Sequence, residues 1–183
     1  GAVQPGDEDD YFQSSLFTIA RRRILWLLIL VLANGLTTKV IAMNDQILKE
    51  IVLLAAFIPL LIGTGGNVGA QSSTVVIRGL STQKLKSLGA IKAVFREAIT
   101  GALLGVFMML VVFPFAWWQG EGPLIASAVG ISLISITTLA ATTGAILPLL
   151  FDKMKLDPAL MSSPFITTVT DIAGVFIYLS TAK

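Results

Sequence analysis

The charges of this chain are concentrated in short clusters, and long uncharged runs separate the clusters. Residues 51–77 and 98–120 contain no charged side chain. Of the 183 residues, 55% are hydrophobic and only 13% are charged. Soluble domains carry about 25% charged residues, so this chain has about half the usual charge. The pattern predicts an integral membrane protein.

Five of the apolar runs are long enough to cross a membrane. A transmembrane helix needs roughly 20 mainly apolar residues to span a hydrocarbon core of about 30 Å. We therefore predict an all-α, polytopic membrane protein with five transmembrane helices. The predicted spans are residues 24–43, 51–77 (with a start near Ile47), 98–118, 123–151 and 158–182.

The basic residues predict the orientation of these spans, because cytoplasmic loops are enriched in lysine and arginine. With the N-terminus in the cytoplasm, only Lys39, Lys49 and Lys183 lie outside. The other basic residues then lie inside: Arg21, Arg22, Arg23, Arg78, Lys84, Lys86, Lys92, Arg96, Lys153 and Lys155. We expect a multi-pass protein of the cell (plasma or inner) membrane, with its N-terminus cytoplasmic and its C-terminus outside.

Composition excludes several classes of function. The net charge of +2 is small and the basic residues lie beside the spans, so no nucleic-acid partner is expected. The chain has no cysteine and no histidine, which removes the usual protein ligands of zinc, copper and iron. An intramembrane aspartyl protease needs a pair of membrane acids, and the predicted spans contain one. We do not expect an enzyme.

That acid is Asp171, near the middle of the fifth predicted span. An aspartate at this depth costs about 2.5–3.5 kcal/mol on insertion scales. It is either a packing residue that hydrogen-bonds a neighbouring helix or a site on an ion or proton path, and the path is the default interpretation. A narrow polar strip also favours the path. At 100° per residue, an arc of about 80° contains Ser163, Thr167, Asp171, Gly174 and Tyr178.

Residues 63–71 (GTGGNVGAQ) form a second candidate site in the second span. Glycine costs about 1 kcal/mol relative to alanine in a helix, so the segment predicts a helix break. Broken backbone inside a membrane must be buried in protein or line a wet cavity, where its carbonyls and the Asn67 and Gln71 amides suit a hard cation. The alternative is close helix packing, which explains the glycines but not the two amides.

Two stretches resemble the membrane domain of the MgtE family of magnesium channels. They are residues 59–80 (PLLIGTGGNVGAQSSTVVIRGL) and 157–179 (DPALMSSPFITTVTDIAGVFIYL), and the resemblance extends over the chain from about Asp7. It implies a homodimer of five-span subunits in the lipid membrane, with a pore lined by the second and fifth spans. Full-length members also carry cytoplasmic sensor domains. Residues 1–20 are then expected to be a remnant of the cytoplasmic connecting helix or a tail, and residues 21–183 the five-helix pore domain.

The resemblance also implies metal-binding roles for individual residues. Asp171 matches the pore aspartate that holds hydrated Mg²⁺. Asp157 matches an acidic position that contributes to a closed-state magnesium site at the cytoplasmic start of the fifth span. Asn67 belongs to the glycine motif of the family. Ser163 stands where some members have asparagine, and Thr167 replaces a smaller residue seen in some members.

The expected function is therefore a magnesium-selective channel in which Mg²⁺ is both the bound and the transported ion. A two-fold axis would place two Asp171 carboxylates opposite each other, and they repel unless a cation or proton lies between them. Mg²⁺ keeps several waters in such sites, so one carboxylate per subunit suits a hydrated ion. The alternative is a proton- or sodium-coupled divalent-cation secondary transporter, because an acid at mid-membrane also suits a proton relay.

Overall fold

The computed structural model describes residues 15–50, 52–82, 85 and 89–182, and every element within them is helical. The predicted all-α class is confirmed for these residues. The acidic run 7–10, Lys84 and Lys86 lie outside the described residues. The helices are α1 (Leu16–Ala42), α2 (Asp45–Glu50), α3 (Val52–Ser81), α4 (Ala90–Ala116), a π-helical turn (Trp117–Glu121), α5 (Gly122–Lys153) and α6 (Pro158–Thr181).

Four described helices are long and apolar enough to cross a membrane, and they match the second to fifth predicted spans. α1 has a shorter apolar stretch, Leu27–Ala42, so the first predicted span stays a prediction. The four candidate spans are Leu54–Ser81, Ala90–Gln119, Gly122–Lys153 and Ser162–Thr181.

The bounds of the helices differ from those of the predicted spans mainly where the adjoining sequence is polar. α4 begins at Ala90 rather than at residue 98, because a helix can extend beyond the apolar run that would cross the hydrocarbon core, and Lys92 and Arg96 in this extension are exposed. Ile47, the predicted start of the second span, lies instead in the short helix α2. Asp157 and Pro158 give the start of α6 correctly, because aspartate is a good N-cap and proline fits the first helical position.

α5 is the central helix, and it packs against α3, α4 and α6. Its buried face consists mostly of small or β-branched residues, which let neighbouring backbones come close. A Cβ on Gly105 of α4 would collide with the Thr137 hydroxyl of α5, and a Cβ on Gly144 would collide with the Gly69 carbonyl of α3. The position of α3 and α4 therefore depends on the absence of side chains at these contacts.

The hydroxyl groups of α5 are satisfied mostly within their own helix. Thr137, for example, donates to the Leu133 carbonyl oxygen at 2.8 Å, and this bond to the preceding turn is the usual fate of a hydroxyl in a membrane helix. α5 therefore carries polar residues without forming a polar surface. The same bond to the carbonyl four residues earlier is made by Ser127, Ser135, Thr138 and Thr142.

Large apolar side chains cover the outer surface of the bundle on α1 and α4. Phe107 of α4 is 63% exposed and Leu32 of α1 is 77% exposed, which suits a hydrocarbon environment and not water. At the end of α4, Trp117 and Trp118 are exposed as well. Tryptophan is enriched at membrane interfaces, and its exposure here is what a helix end at the edge of a bilayer would present.

Candidate ion-binding site

Asp171 lies near the middle of α6, the helix that packs against α5, α3 and α1. Its side chain is half-buried. No described residue forms a hydrogen bond or an ion pair with its carboxylate. The packing interpretation required such a partner on a neighbouring helix. Within one chain, the carboxylate is instead available to a ligand or to a second subunit.

Among the described residues, no other acidic side chain lies as far from the ends of its candidate span as Asp171 does. Glu97 and Asp152 lie within two turns of the ends of α4 and α5. The described residues also contain no group of three aspartate, glutamate, histidine or cysteine side chains that would hold a metal ion. The described residues therefore supply a single carboxylate at this depth, Asp171, and a metal site there would need further ligands such as water or a second copy.

The polar strip predicted on α6 is open along only part of its length. Ser163 is exposed, and Thr167 and Asp171 are half-buried. Thr167 donates to the carbonyl oxygens of Pro164 at 3.0 Å and Ser163 at 3.3 Å, so its own oxygen keeps free acceptor capacity. The open surface thus runs from the first turns of α6 as far as Asp171.

Beyond Asp171, the prediction of a water-lined strip is wrong for Gly174 and Tyr178. Both are buried, and the Tyr178 hydroxyl donates to the Leu54 carbonyl oxygen of α3 at 3.1 Å. The residues of α6 that packing buries are four positions apart, and each lies about 40° further around the helix than the one before it. The row therefore reaches the predicted strip in the second half of α6. Its members are Ser162, Ile166, Thr170, Gly174 and Tyr178.

The glycine-rich segment 63–71 is helical, so the predicted helix break is wrong. α3 runs without interruption from Val52 to Ser81, so the glycine-rich segment lies inside a continuous helix. Two of the glycines serve close packing instead. A Cβ on Gly65 would lie 2.8 Å from Ile136 Cγ2 of α5, and a Cβ on Gly69 would collide with Ile166 of α6. In a membrane, tight contact between helices outweighs the low helix propensity of glycine in water.

The opposite face of the same segment is open. Gly63 and the side chains of Asn67 and Gln71 are exposed, and a Cβ on Gly63 would meet no other atom within 4 Å. Residues four apart share a helix face, so these three form one polar row on α3. Packing explains Gly65 and Gly69, and it leaves this row unexplained within one chain.

The contacts between α3 and α6 place the two open rows at the same depth. α3 and α6 are antiparallel, since Gly65 lies beside Thr170 and Gly69 beside Ile166. This register puts Asp171 level with Gly63. A Cβ on Gly66 would lie 3.9 Å from Thr167 Cγ2, so Asn67, the next residue, is level with Thr167. Sequence alone carries no signal for this match, because it depends on how the helices are docked.

Asp157 lies away from the other candidate residues. It is the N-cap of α6, and its Oδ1 accepts a hydrogen bond from the Ala159 N–H at 2.9 Å. Fourteen residues separate it from Asp171, which is about 21 Å along a helix. The structure therefore brings Asp171, Thr167, Ser163 and Asn67 to adjoining helices, and it leaves the exposed Asp157 at the helix end.

Comparison with known proteins identifies the family. A family model described as "Divalent cation transporter", MgtE, matches residues 58–181. The protein named magnesium transporter MgtE of Thermus thermophilus is 37% identical over 161 residues, which is 88% of this chain and 36% of that protein. The Bacillus subtilis protein of the same name is 35% identical over 176 residues, covering 96% of this chain and 39% of the relative.

A third relative gives the same result. The magnesium transporter MgtE of Enterococcus faecalis is 35% identical over 168 residues, or 90% of this chain and 36% of its own length. The chain thus spans somewhat more than a third of the length of these relatives. The matched region contains all of α6 and residues 58–81 of α3, and so both open polar rows. The chain belongs to the MgtE family of divalent cation transporters.

Proposed function

We propose that two copies of this chain form a magnesium-selective channel in the cell membrane, and that hydrated Mg²⁺ passes between them past Asp171. The observation that carries the proposal is the half-buried Asp171 carboxylate, which has no partner among the described residues and lies at the end of an open polar surface. An unpaired acid at this depth is costly, and membrane proteins keep such acids where they handle ions.

A two-fold arrangement accounts for the otherwise unexplained polar rows. The Asn67 row on α3 and the Ser163–Thr167–Asp171 row on α6 would face their copies across the axis. One Mg²⁺ between two carboxylates neutralises both. Asn67, Ser163 and Thr167 would contact it through its retained waters, because Mg²⁺ loses its hydration shell reluctantly.

The proposed membrane placement uses five spans per subunit. α1 supplies the first span, with the N-terminus in the cytoplasm and the C-terminus outside. Exposed Arg78, Lys92, Arg96 and Lys153 then lie on the cytoplasmic side, as the distribution of basic residues in membrane proteins requires. Residues 21–183 form the pore domain in this proposal, residues 1–20 belong to a cytoplasmic connection or tail, and the sensor domains of the full-length protein would act on the pore from that side.

The test of the channel is Mg²⁺ uptake into proteoliposomes under separately imposed voltage, proton and sodium gradients. A channel gives uptake that follows the voltage and the Mg²⁺ gradient and does not depend on protons or sodium. Uptake that requires either coupling ion would overturn the channel and establish the coupled secondary transporter. Empty liposomes are the control for leakage.

We expect Asp157 to contribute to a closed-state Mg²⁺ site at the cytoplasmic mouth, in addition to capping α6. Asparagine caps as well as aspartate, whereas alanine loses the cap at a cost of about 1 kcal/mol. Asp157→Asn should therefore keep the free energy of unfolding, and both variants should weaken the inhibition of flux by Mg²⁺ on the cytoplasmic side. If only Asp157→Ala changes inhibition, the residue acts as a cap and the metal role is wrong.

A further inference from the structure

The open polar row on α3 continues as far as the last turn of the helix. Five exposed residues belong to it, and at 100° per residue they lie within an arc of about 80° around α3. They are Gly63, Asn67, Gln71, Thr74 and Arg78. Arg78 lies in the last turn, and an arginine side chain is charged at every physiological pH. The row therefore ends in a fixed positive charge.

The docking of α3 against α6 places Arg78 level with Asp157. The two helices are antiparallel, with Gly69 of α3 beside Ile166 of α6. Arg78 lies nine residues after Gly69, and Asp157 lies nine residues before Ile166. Equal steps along two antiparallel helices end at the same depth. The positive end of the α3 row and the N-cap of α6 therefore lie at the same end of the bundle.

Neither of these charges has an ion-pair partner among the described residues of one chain. Both side chains are exposed, and the described ion pair is Lys49–Asp45. Packed helices lie about 8–10 Å apart from axis to axis, which is close to the Debye length of about 8 Å at physiological ionic strength. The charge of Arg78 therefore changes the electrostatic potential at Asp157 without a direct contact.

Two ordinary roles of Arg78 do not explain its place on the row. A basic residue in the last turn of a helix interacts favourably with the negative end of the helix dipole. Basic residues are also enriched on the cytoplasmic side of membrane proteins. Lys92, Arg96 and Lys153 satisfy the second rule from α4 and α5. Neither role requires a position in line with the Asn67 amide.

We propose that Arg78 lowers the affinity of Asp157 for Mg²⁺ and so sets the Mg²⁺ concentration at which the cytoplasmic mouth is occupied. The inference rests on the proposed pore, in which the α3 row and the start of α6 line the same mouth. A guanidinium repels a divalent cation twice as strongly as a monovalent one at the same distance. Conduction requires sites that bind an ion weakly enough to release it, and Arg78 supplies this weakening at the mouth.

The test measures equilibrium binding of Mg²⁺ to the purified full chain in detergent, by isothermal titration calorimetry. Asp157→Asn should remove one binding component, and Arg78→Gln should tighten that same component about fivefold. Arg78→Lys keeps the charge and should bind Mg²⁺ as wild type does. A higher salt concentration should reduce the difference between Arg78→Gln and wild type, because salt screens exposed charges. A role confined to the stability of the helix end would not change the affinity.

Arg96→Gln is the matched control, because it removes an exposed arginine of α4 that lies outside the α3 row. It should leave Mg²⁺ binding unchanged. The double variant of Arg78→Gln and Asp157→Asn should bind as Asp157→Asn alone. Unchanged or weaker binding in Arg78→Gln would overturn the inference, and so would tightening in Arg96→Gln or in the double variant. A failure of the proposed channel is separate, because it appears as a coupling-ion requirement in the flux experiment and leaves this binding measurement intact.

Discussion

Asp171→Asn is expected to abolish Mg²⁺ flux and to leave the protein folded. In the proposed dimer each carboxylate accepts charge-assisted hydrogen bonds from the hydrated ion, worth about 1.5–3 kcal/mol apiece, and the substitution removes both carboxylates. Occupancy of the site should therefore fall on the order of 100-fold or more. Uptake of Mg²⁺ into proteoliposomes measures the loss.

The stability of this variant should change in the opposite direction from its activity. A charged aspartate at mid-span costs more to insert than a neutral amide, and Asp171 has no described partner to lose. Asp171→Asn should therefore unfold in detergent at the same denaturant concentration as wild type or at a higher one. A residue kept for packing would behave differently, because its replacement would destabilise the protein.

Asp45→Asn is the matched control for this experiment. Asp45 is exposed at the start of α2, where it pairs with Lys49. The hydrogen bond from Lys49 and its charge hold the pKa of Asp45 below the usual value, so the control also removes a negative charge at neutral pH. This variant should keep wild-type flux. Wild-type flux in Asp171→Asn would contradict the assignment of the site.

Gly144→Ala is expected to cause a large loss of stability, although it adds a single methyl group. The new Cβ would collide with the Gly69 carbonyl oxygen and lie 3.1 Å from the Ser72 Cβ. A backbone carbonyl has no rotamer to move into, so α3 and α5 must separate. Overpacking of this kind costs about 1–3 kcal/mol and occasionally more. Unfolding by denaturant in detergent micelles measures the change.

The control for Gly144→Ala is the same substitution at Gly35 of α1, where a Cβ would meet no atom within 4 Å. Alanine is the better helix former by about 1 kcal/mol, so Gly35→Ala should match or exceed wild-type stability. Flux should also fall in Gly144→Ala, since α3 carries the open row that is level with Asp171. Equal stability of the two variants would show that α3 and α5 can accommodate a methyl group between Gly144 and Gly69.

The sequence predicted the individual helices better than their contacts. Apolar runs identified all four candidate spans of the described residues, and the pair Asp157–Pro158 identified the start of α6. Asp171 was found because an acid in an apolar run is conspicuous. Each of these features depends only on residues close together in the chain.

Two expectations failed where helix packing decides the outcome. The glycines of residues 63–71 predicted a break from their propensity in water, but Gly65 and Gly69 remain helical because α5 and α6 pack against them. The predicted strip gave the correct angular position of Tyr178 around α6. Its burial depends on α3, to which the Tyr178 hydroxyl is bonded. Neither docking contact has a signature in a single helix.

The position of Asp157 has an electrostatic consequence for the mouth of the proposed pore. The N-terminus of a helix carries about half a positive elementary charge from its aligned peptide dipoles, and two copies of α6 would present two such ends to the cytoplasm. This field repels cations. The Asp157 carboxylate, held at the first turn by the Ala159 N–H, offsets it in each subunit. In the proposed pore, the residue that caps the start of α6 would therefore also favour a divalent ion at the mouth.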